Sequence, residues 1–311
     1  MSKEATTKRV AISKKELIKQ RPLLIWSAIF FVYGFVFYYL PLGGWIMAFQ
    51  NYKNKTGFFH SKWVGLEKFK FLFSAVTFLR VIRNTFCMGA LNLVFSTVLA
   101  IAFAILLNEV KVTKIKKPIQ TVSYLPHFLS WIIVTGILND MLSSTGIVNE
   151  LLVKFGIMDS TVPFFSIPWL FWPIVTFAHL WKETGWNAII YLSAITSIDP
   201  TLYEAGAIDG AGRWQKIKHI TLPSLRPTII VLLIMNMGNL LNVGFEVQYL
   251  LGNDVVKSVS DTIDIYVLKW GISQSDYSLG TAAGIFKSVV SIAIILIANS
   301  IAKRHGEERL F

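Results

Sequence analysis

Cysteine is nearly absent from this sequence: Cys87 is the only one, so no intramolecular disulfide can form. It sits inside an apolar block and reads as a small packed residue. Catalytic signatures are missing as well. No G-x-x-x-x-G-K-[ST] loop occurs, and no Gly-Lys pair at all, so the chain has no phosphate cradle of its own. Neither H-E-x-x-H nor a metal-spaced Cys/His cluster is present, and there is no G-x-S-x-G elbow. The five histidines, scattered from His60 to His305, form no site by spacing. These gaps argue against an ATPase, a zinc hydrolase and a serine hydrolase, and for a chain that holds neither metal nor cofactor itself.

Charge is scarce too. Only 15% of the 311 residues are charged, where a soluble domain carries about a quarter. Hydrophobic residues make up 54% and the mean hydropathy is +0.55. They fall in long blocks instead of at helical or strand spacing, which points to the bilayer. Six blocks stand out, near 22–49, 86–107, 119–142, 167–196, 227–250 and 280–302. Each is close to or above the ~20 residues a helix needs to cross the hydrocarbon. The expected fold is therefore an all-α integral membrane protein with six transmembrane helices. Block 167–196 is interrupted by Lys182, Glu183 and Gly185, and reads as one long span bent near Gly185. No linker, internal repeat or soluble domain separates the blocks. The N-terminal segment 1–21 is basic and no Ala-x-Ala site follows the first block, so that block reads as a retained span and not as a cleaved signal.

The net charge of +12 could suggest nucleic acid. The basic residues cluster beside apolar blocks, however, which is the mark of cytoplasmic loops. With the N-terminus inside, inner segments carry 18 Lys and Arg and outer segments carry 10. Both termini are then expected in the cytoplasm, and so is the polar stretch 199–223.

That stretch, whose heart is EAGAIDGAGRWQKIKHITLP, lies between two apolar blocks. Asp199 suits a helix N-cap and Pro200 the first helical position. Leu202 to Ala207 forms two turns, and Asp209-Gly210 breaks the run, since glycine takes backbone angles other residues avoid. Arg213 to Ile220 forms a second helix, which Pro223 is expected to end. Tyr203 and Trp214 are available as aromatic anchors. On composition alone, this is an amphipathic loop on the headgroups or a docking knob.

The spacing resembles the EAA loop of permease subunits in binding-protein-dependent ABC importers. Glu204, Ala205, Gly210, Ile220, Leu222 and Pro223 fall in its register, with Asp209 and Ala211 flanking the glycine. Gly206 stands where a second alanine is usual, and a glycine costs a short helix about 1 kcal/mol relative to alanine. Beyond the loop, VGLEKFKFLF (64–73), RNTF (83–86), 123–152 and WKETGWNAIIYLSAITSIDPTLYEAGAIDGA (181–211) are similar to sugar-permease subunits, most of all to the branch handling oligosaccharides. The resemblance implies a type I permease core. It also implies that Tyr203, Glu204, Ala205, Gly206, Ala207, Asp209, Gly210 and Ala211 seat in a groove on a separate ATPase subunit. Implied partners are a second permease subunit, two ATP-binding cassette subunits that hold ATP and magnesium, an extracytoplasmic solute-binding protein, the lipid bilayer and a carbohydrate substrate.

Polar residues inside the blocks are the candidates for a translocation path, because a charge at mid-helix costs ~2.5–3.5 kcal/mol on insertion scales. Asn239, Asn242, Glu246 and Tyr249 recur at steps of 3, 4 and 3, which on one helix puts them on one face. They could contact a sugar or glue helices together. A second cluster joins His179, Lys182, Glu183 and Asn187, with Trp181 and Trp186 beside it. Lys182 and Glu183 are adjacent, so they point about 100° apart and need separate partners if the helix is intact. Gly280 and Gly284 form a small-xxx-small pair that suits close helix packing. The competing functions are a permease for a non-sugar solute, an ion-coupled secondary transporter, for which no repeat or paired intramembrane carboxylates are found, and a membrane sensor without transport activity.

Overall fold

The computed structural model describes residues 18–304 and Gly306; most of the basic N-terminal segment and of the C-terminal 303–311 segment lies outside the described residues. Helix α1 (Arg21–Gly34) continues through a wide π turn (Phe35–Tyr39) and a 3-10 stretch (Leu40–Phe49). Apart from a two-residue antiparallel pair, β1 (Gln50–Asn51) with β2 (Lys62–Trp63), the principal elements that follow are helical. They are α2 (Glu67–Ser74), α3 (Val76–Glu109), α4 (Thr113–Tyr124), α5 (Trp131–Leu142), α6 (Ile147–Lys154) and α7 (Pro168–Thr196). Next come α8 (Pro200–Ile208), α9 (Arg213–Lys216), α10 (Leu222–Gly238), α11 (Phe245–Leu251) and α12 (Tyr277–Arg304).

Among the described residues, five helical stretches are long and apolar enough to cross a membrane: Arg21–Phe49, Val76–Glu109, Trp131–Lys154, Arg213–Gly238 and Tyr277–Arg304. The block expected at 167–196 is α7, 29 residues long and unbroken through Gly185. It stands apart from the five because His179, Lys182 and Glu183 dilute its apolar stretch. No unwinding occurs at Gly185 because the residue serves packing. A Cβ there would lie 2.0 Å from the Ser123 carbonyl oxygen, so only glycine lets α4 and α7 approach this closely.

Two expected blocks are not single helices. The block at 119–142 breaks between α4 and α5, where Leu125–Phe128 forms a 3-10 turn and Leu129 is extended. Pro126 supplies no amide hydrogen there, and Ser130 restarts the helix by accepting from the Ile133 amide at 3.4 Å. The block at 227–250 breaks between α10 and α11, where Gly244 adopts φ +86°, a value side-chain-bearing residues rarely take. The block at 86–107 instead begins earlier, at Val76, because the polar residues before it find partners inside the fold. Asn84 is fully buried and donates to the carbonyls of Ser258 (3.1 Å) and Asp261 (3.0 Å).

Pro223 does not end the second loop helix either. The chain passes from α9 through a π turn (Ile217–Thr221) straight into α10. A proline ring collides with the carbonyl four residues back in an α-helix; the π register relieves this, with the Leu222 amide bonding the Ile217 carbonyl five residues away. The same device precedes Pro41, where the Leu40 amide reaches the Phe35 carbonyl.

The most extensive helix contact joins α3 to α7. At one end of α3, Ala100, Ala104 and Leu107 pack with Ala188, Tyr191, Ile195 and Leu225. At the other, Phe78 and Val81 pack with Leu72, Tyr266 and the head of α12. Gly280 lets α12 press on the Gly271 backbone, where a Cβ would meet Cα at 2.8 Å, whereas a Cβ at Gly284 would meet nothing within 4 Å. Only half of that pair is therefore a packing contact. Helix α1 has no buried residue and touches little of this core.

Candidate functional site

Two features stand out, and the same helices carry both. The first is the loop between α7 and α10. The Asp199 side chain accepts from the Thr201 amide at 2.9 Å, capping α8 as its sequence position suggests. Those bonds hold the Asp199 carboxyl below its ordinary pKa. Gly210 takes φ +79° and reverses the chain. The α9 turn is closed by the Gln215 side chain, which accepts from the Gly212 amide at 2.7 Å.

Tyr203 is not an outward anchor. It is half-buried, and its hydroxyl meets the Thr221 hydroxyl at 2.9 Å, tying α8 to the π turn before α10. Gly206 faces inward too: a Cβ there would lie 3.2 Å from Ile220 Cδ1, so the missing methyl makes room for the second helix. Outward stand Glu204, Ala205, Ala207, Asp209 and Gly210, all exposed. Ile208 and Trp214 are 87% and 73% exposed, and Leu202 is 49% exposed. Among the described residues, Glu204 has no ion-pair partner. A shallow cleft of about 410 Å³ runs between α8 and the second helix, edged by Ala205, Asp209, Ala211 and His219. This is a stiff knob presenting two carboxylates, Glu204 and Asp209, that have no side-chain partner among the described residues, beside bare apolar side chains.

The second feature is a polar cavity of about 240 Å³ between α3, α7 and the end of α10. Asn187, Asn239 and Asn242 line it, together with His179 and Glu183. Sequence reading missed four more polar residues, Asn92, Ser96, Thr97 and Asn236. The i, i+4 spacing of Asn92 and Ser96 inside an apolar block was the available signal. Asn187 donates to the Ser96 hydroxyl at 3.1 Å, and Asn242 to the Asn239 carboxamide at 3.2 Å. Asn92 is 8% exposed, and its Oδ1 has no partner among the described residues. Gly89 closes one side, since a Cβ there would sit 1.9 Å from the Leu240 carbonyl oxygen.

The four-residue stripe does not survive as one face. Asn239 and Asn242 lie in the break after α10, while Glu246 and Tyr249 belong to α11 and do not line the cavity. The Gly238 end and the Gly244 turn separate them. Tyr249 is exposed and stacks on Phe245 at 5.4 Å.

Lys182 also stays out of the cavity. Only 5% exposed, its ammonium donates to the His127 carbonyl, lies 3.3 Å from Glu183 Oε1 and sits over the Trp131 ring at 5.5 Å. Glu183 reaches the His127 imidazole at 2.8 Å, and that ring stacks on Trp186 at 4.4 Å. The two charges therefore share one partner residue, His127, across an intact helix. The long lysine side chain closes the angle that their adjacency imposes. Both anchor the break at Pro126.

Residues 96–306 match the family described as binding-protein-dependent transport system inner membrane component. The chain is similar to protein LplB of Bacillus subtilis, at 43% identity over 90% of this chain and 88% of that one. It is 40% identical, over 99% of this chain and 95% of that one, to the polygalacturonan/rhamnogalacturonan transport system permease protein YteP of the same organism. Among solved structures, a chain of a bacterial ABC transporter involved in import of the acidic polysaccharide alginate superposes with TM-score 0.86. The two chains are 39% identical over 93% of this chain and 98% of that one. A second alginate transporter structure, in complex with a pentasaccharide-bound periplasmic protein, gives 0.87 at 38% identity, over 95% and 99%.

Proposed function

Because the chain belongs to the family of binding-protein-dependent transport system inner membrane components, we propose that it is the permease subunit of an ATP-driven carbohydrate importer. Its substrate is an oligosaccharide, handed over by an extracytoplasmic binding protein and released to the cytoplasm. Relatives named for polygalacturonan, rhamnogalacturonan and alginate favour fragments of acidic polysaccharides.

The observation that carries this reading is the knob on α8, whose second helix runs through the π turn into α10 and so toward the cavity. Its flanking helices are α7 and α10, and both contribute lining residues. Glu204 and the bare side chains of Leu202 and Ile208 fit a partner surface better than water. The partner is an ATPase subunit, which holds the ATP and magnesium that this chain lacks the means to bind. A push on the knob travels along α7 and α10 as rigid-body motion, because Tyr203–Thr221 and the π turn leave no slack between them.

In this scheme α7 crosses the membrane with the five more apolar stretches, and both termini and the knob lie in the cytoplasm. A second permease subunit completes the wall around the path. ATP-driven closure of two ATPase subunits draws the two knobs together and opens the cavity outward to receive sugar, and hydrolysis restores the inward-facing state. Asn187, Asn239 and Asn242 offer carboxamides to sugar hydroxyls along the way. Glu246 and Tyr249, on α11, serve at the approach to the path.

The test is purification of the tagged chain from its native cell, followed by uptake in proteoliposomes. The reading requires an ATPase, a second permease and sugar uptake driven by ATP. Transport without any co-purifying ATPase, or transport abolished by an uncoupler at constant ATP, would refute it.

A further inference from the structure

A larger polar hollow, about 530 Å³, lies at the end of α3 remote from the knob. The first turns of α3 form one side and segment 254–274 the other. Its frame is fixed. The buried Asn84 holds two carbonyls of that segment, and the Ile263 amide donates to the Thr85 hydroxyl at 3.0 Å. One wall is aromatic. Buried Tyr266 stacks behind Trp270 at 5.9 Å, leaving the indole 38% exposed.

Charge around the hollow is unbalanced. Arg80, Lys257 and Lys269 face two carboxylates, Asp254 and Asp261. Asp261 engages Lys269 with both oxygens, at 2.8 and 3.1 Å. Lys257 reaches Asp254 only at 3.7 Å. Arg80 has no ion-pair or hydrogen-bond partner among the described residues. An uncommitted guanidinium therefore stands beside a bare indole in a concave site of small-molecule size, since ligand pockets span about 300–1,000 Å³.

We propose that this hollow binds a carboxylate-bearing sugar unit, a uronate. Arg80 takes the carboxylate, whose planar pair of oxygens matches the guanidinium fork. Trp270 stacks against the apolar face of the ring. The asparagine-lined cavity has no lysine or arginine in its wall, so recognition of acid sugars falls to this outer site and the cavity remains a passage. The proposal rests on the import reading, which turns this end of α3 toward the delivery side. A concave pocket favours a sugar over an acidic protein surface, which would need a flatter patch.

The experiment measures binding of trigalacturonate and of maltotriose to the assembled transporter in nanodiscs, without binding protein, and separately measures binding-protein docking and ATP-driven uptake in proteoliposomes with binding protein present. Arg80→Gln is expected to weaken trigalacturonate binding about tenfold, the loss of one charge-assisted hydrogen bond. Arg80→Lys recovers part of it, and maltotriose binding stays weak throughout. Trp270→Ala should weaken trigalacturonate and Trp270→Phe should not, which separates stacking from folding. Unchanged trigalacturonate affinity in Arg80→Gln, or equal affinity for both sugars, would overturn the proposal while leaving import intact if uptake persists. Arg80-dependent binding in a wild-type transporter that takes up no sugar would uphold the hollow and overturn the import reading instead. Weaker docking of the binding protein with unaltered sugar binding would assign Arg80 to a protein contact and sink the sugar site.

Discussion

Replacing Lys182 by methionine removes the ammonium and keeps most of the side-chain volume. At 3.3 Å from Glu183, two unit charges attract by about 5 kcal/mol at an effective dielectric constant near 20. The desolvation of both groups offsets much of that, so the intact pair adds little net stability. Breaking it is another matter, because removal of one partner strands a buried charge at a cost of about 3–5 kcal/mol. Here the group left without its ammonium is Glu183, whose side chain is only 18% exposed and keeps the His127 imidazole at 2.8 Å, which places the cost at the low end of that range; the His127 carbonyl loses its donor as well. Lys182→Met should therefore lower the thermal midpoint of the purified transporter sharply. Glu183→Gln, which leaves the lysine its bond to His127, should lower it less. The double variant should be more stable than Lys182→Met alone, with a coupling of about 2–3 kcal/mol between the two sites. Fluorescence-monitored unfolding of the four proteins in one detergent measures this. Simple additivity would refute the picture of a pair pinning the helix break at Pro126.

Gly89→Ala should be among the most damaging single-methyl additions, since the new Cβ falls 1.9 Å from a backbone oxygen that cannot rotate away; a loss of at least 1–3 kcal/mol and collapsed uptake are expected, read by thermal midpoint and sugar accumulation. Gly206→Ala gains about 1 kcal/mol of helix propensity but crowds Ile220 Cδ1 at 3.2 Å, so the variant should stay near wild type in stability, and pairing it with Ile220→Val should reveal the hidden gain. The Asp199 cap has a pH signature. Its folded pKa is depressed by the Thr201 bonds, so its contribution is complete above the ordinary carboxylate pKa and is lost as pH falls through the lowered folded value. Protection of the α8 amides, taken relative to the intrinsic exchange rate at each pH, should fall on acidification in wild type, and Asp199→Asn, an equally good cap, should remove that dependence.

Much of this was readable from residue order. The α8 knob was legible because caps and turns are local chemistry: Asp199, Pro200 and Gly210 act within four residues of themselves. Breaks inside apolar blocks were harder to see. Hydropathy is blind to Leu125-Pro126 and to Gly244, since neither lowers the apolar content of its block, and so α4/α5 and α10/α11 each read as one span. Periodicity then misled, because steps of 3, 4 and 3 mean one face only on one helix, and the chain changes direction between Asn242 and Glu246. The role of Tyr203 depended on Thr221, eighteen residues away in sequence, and no local pattern carries that information. The convergence of Lys182 and Glu183 on His127 was invisible for the same reason. Its partner lies 56 residues earlier, on a turn that was not expected to exist.

The account stands or falls on whether the knob of α8 drives the path through Glu204. Glu204→Lys, assembled with its partner subunits in proteoliposomes, permits ATP hydrolysis and sugar uptake to be measured on the same sample. Normal membrane insertion with ATP hydrolysis no longer converted into uptake is the predicted result; uptake per ATP equal to that of wild type would contradict it.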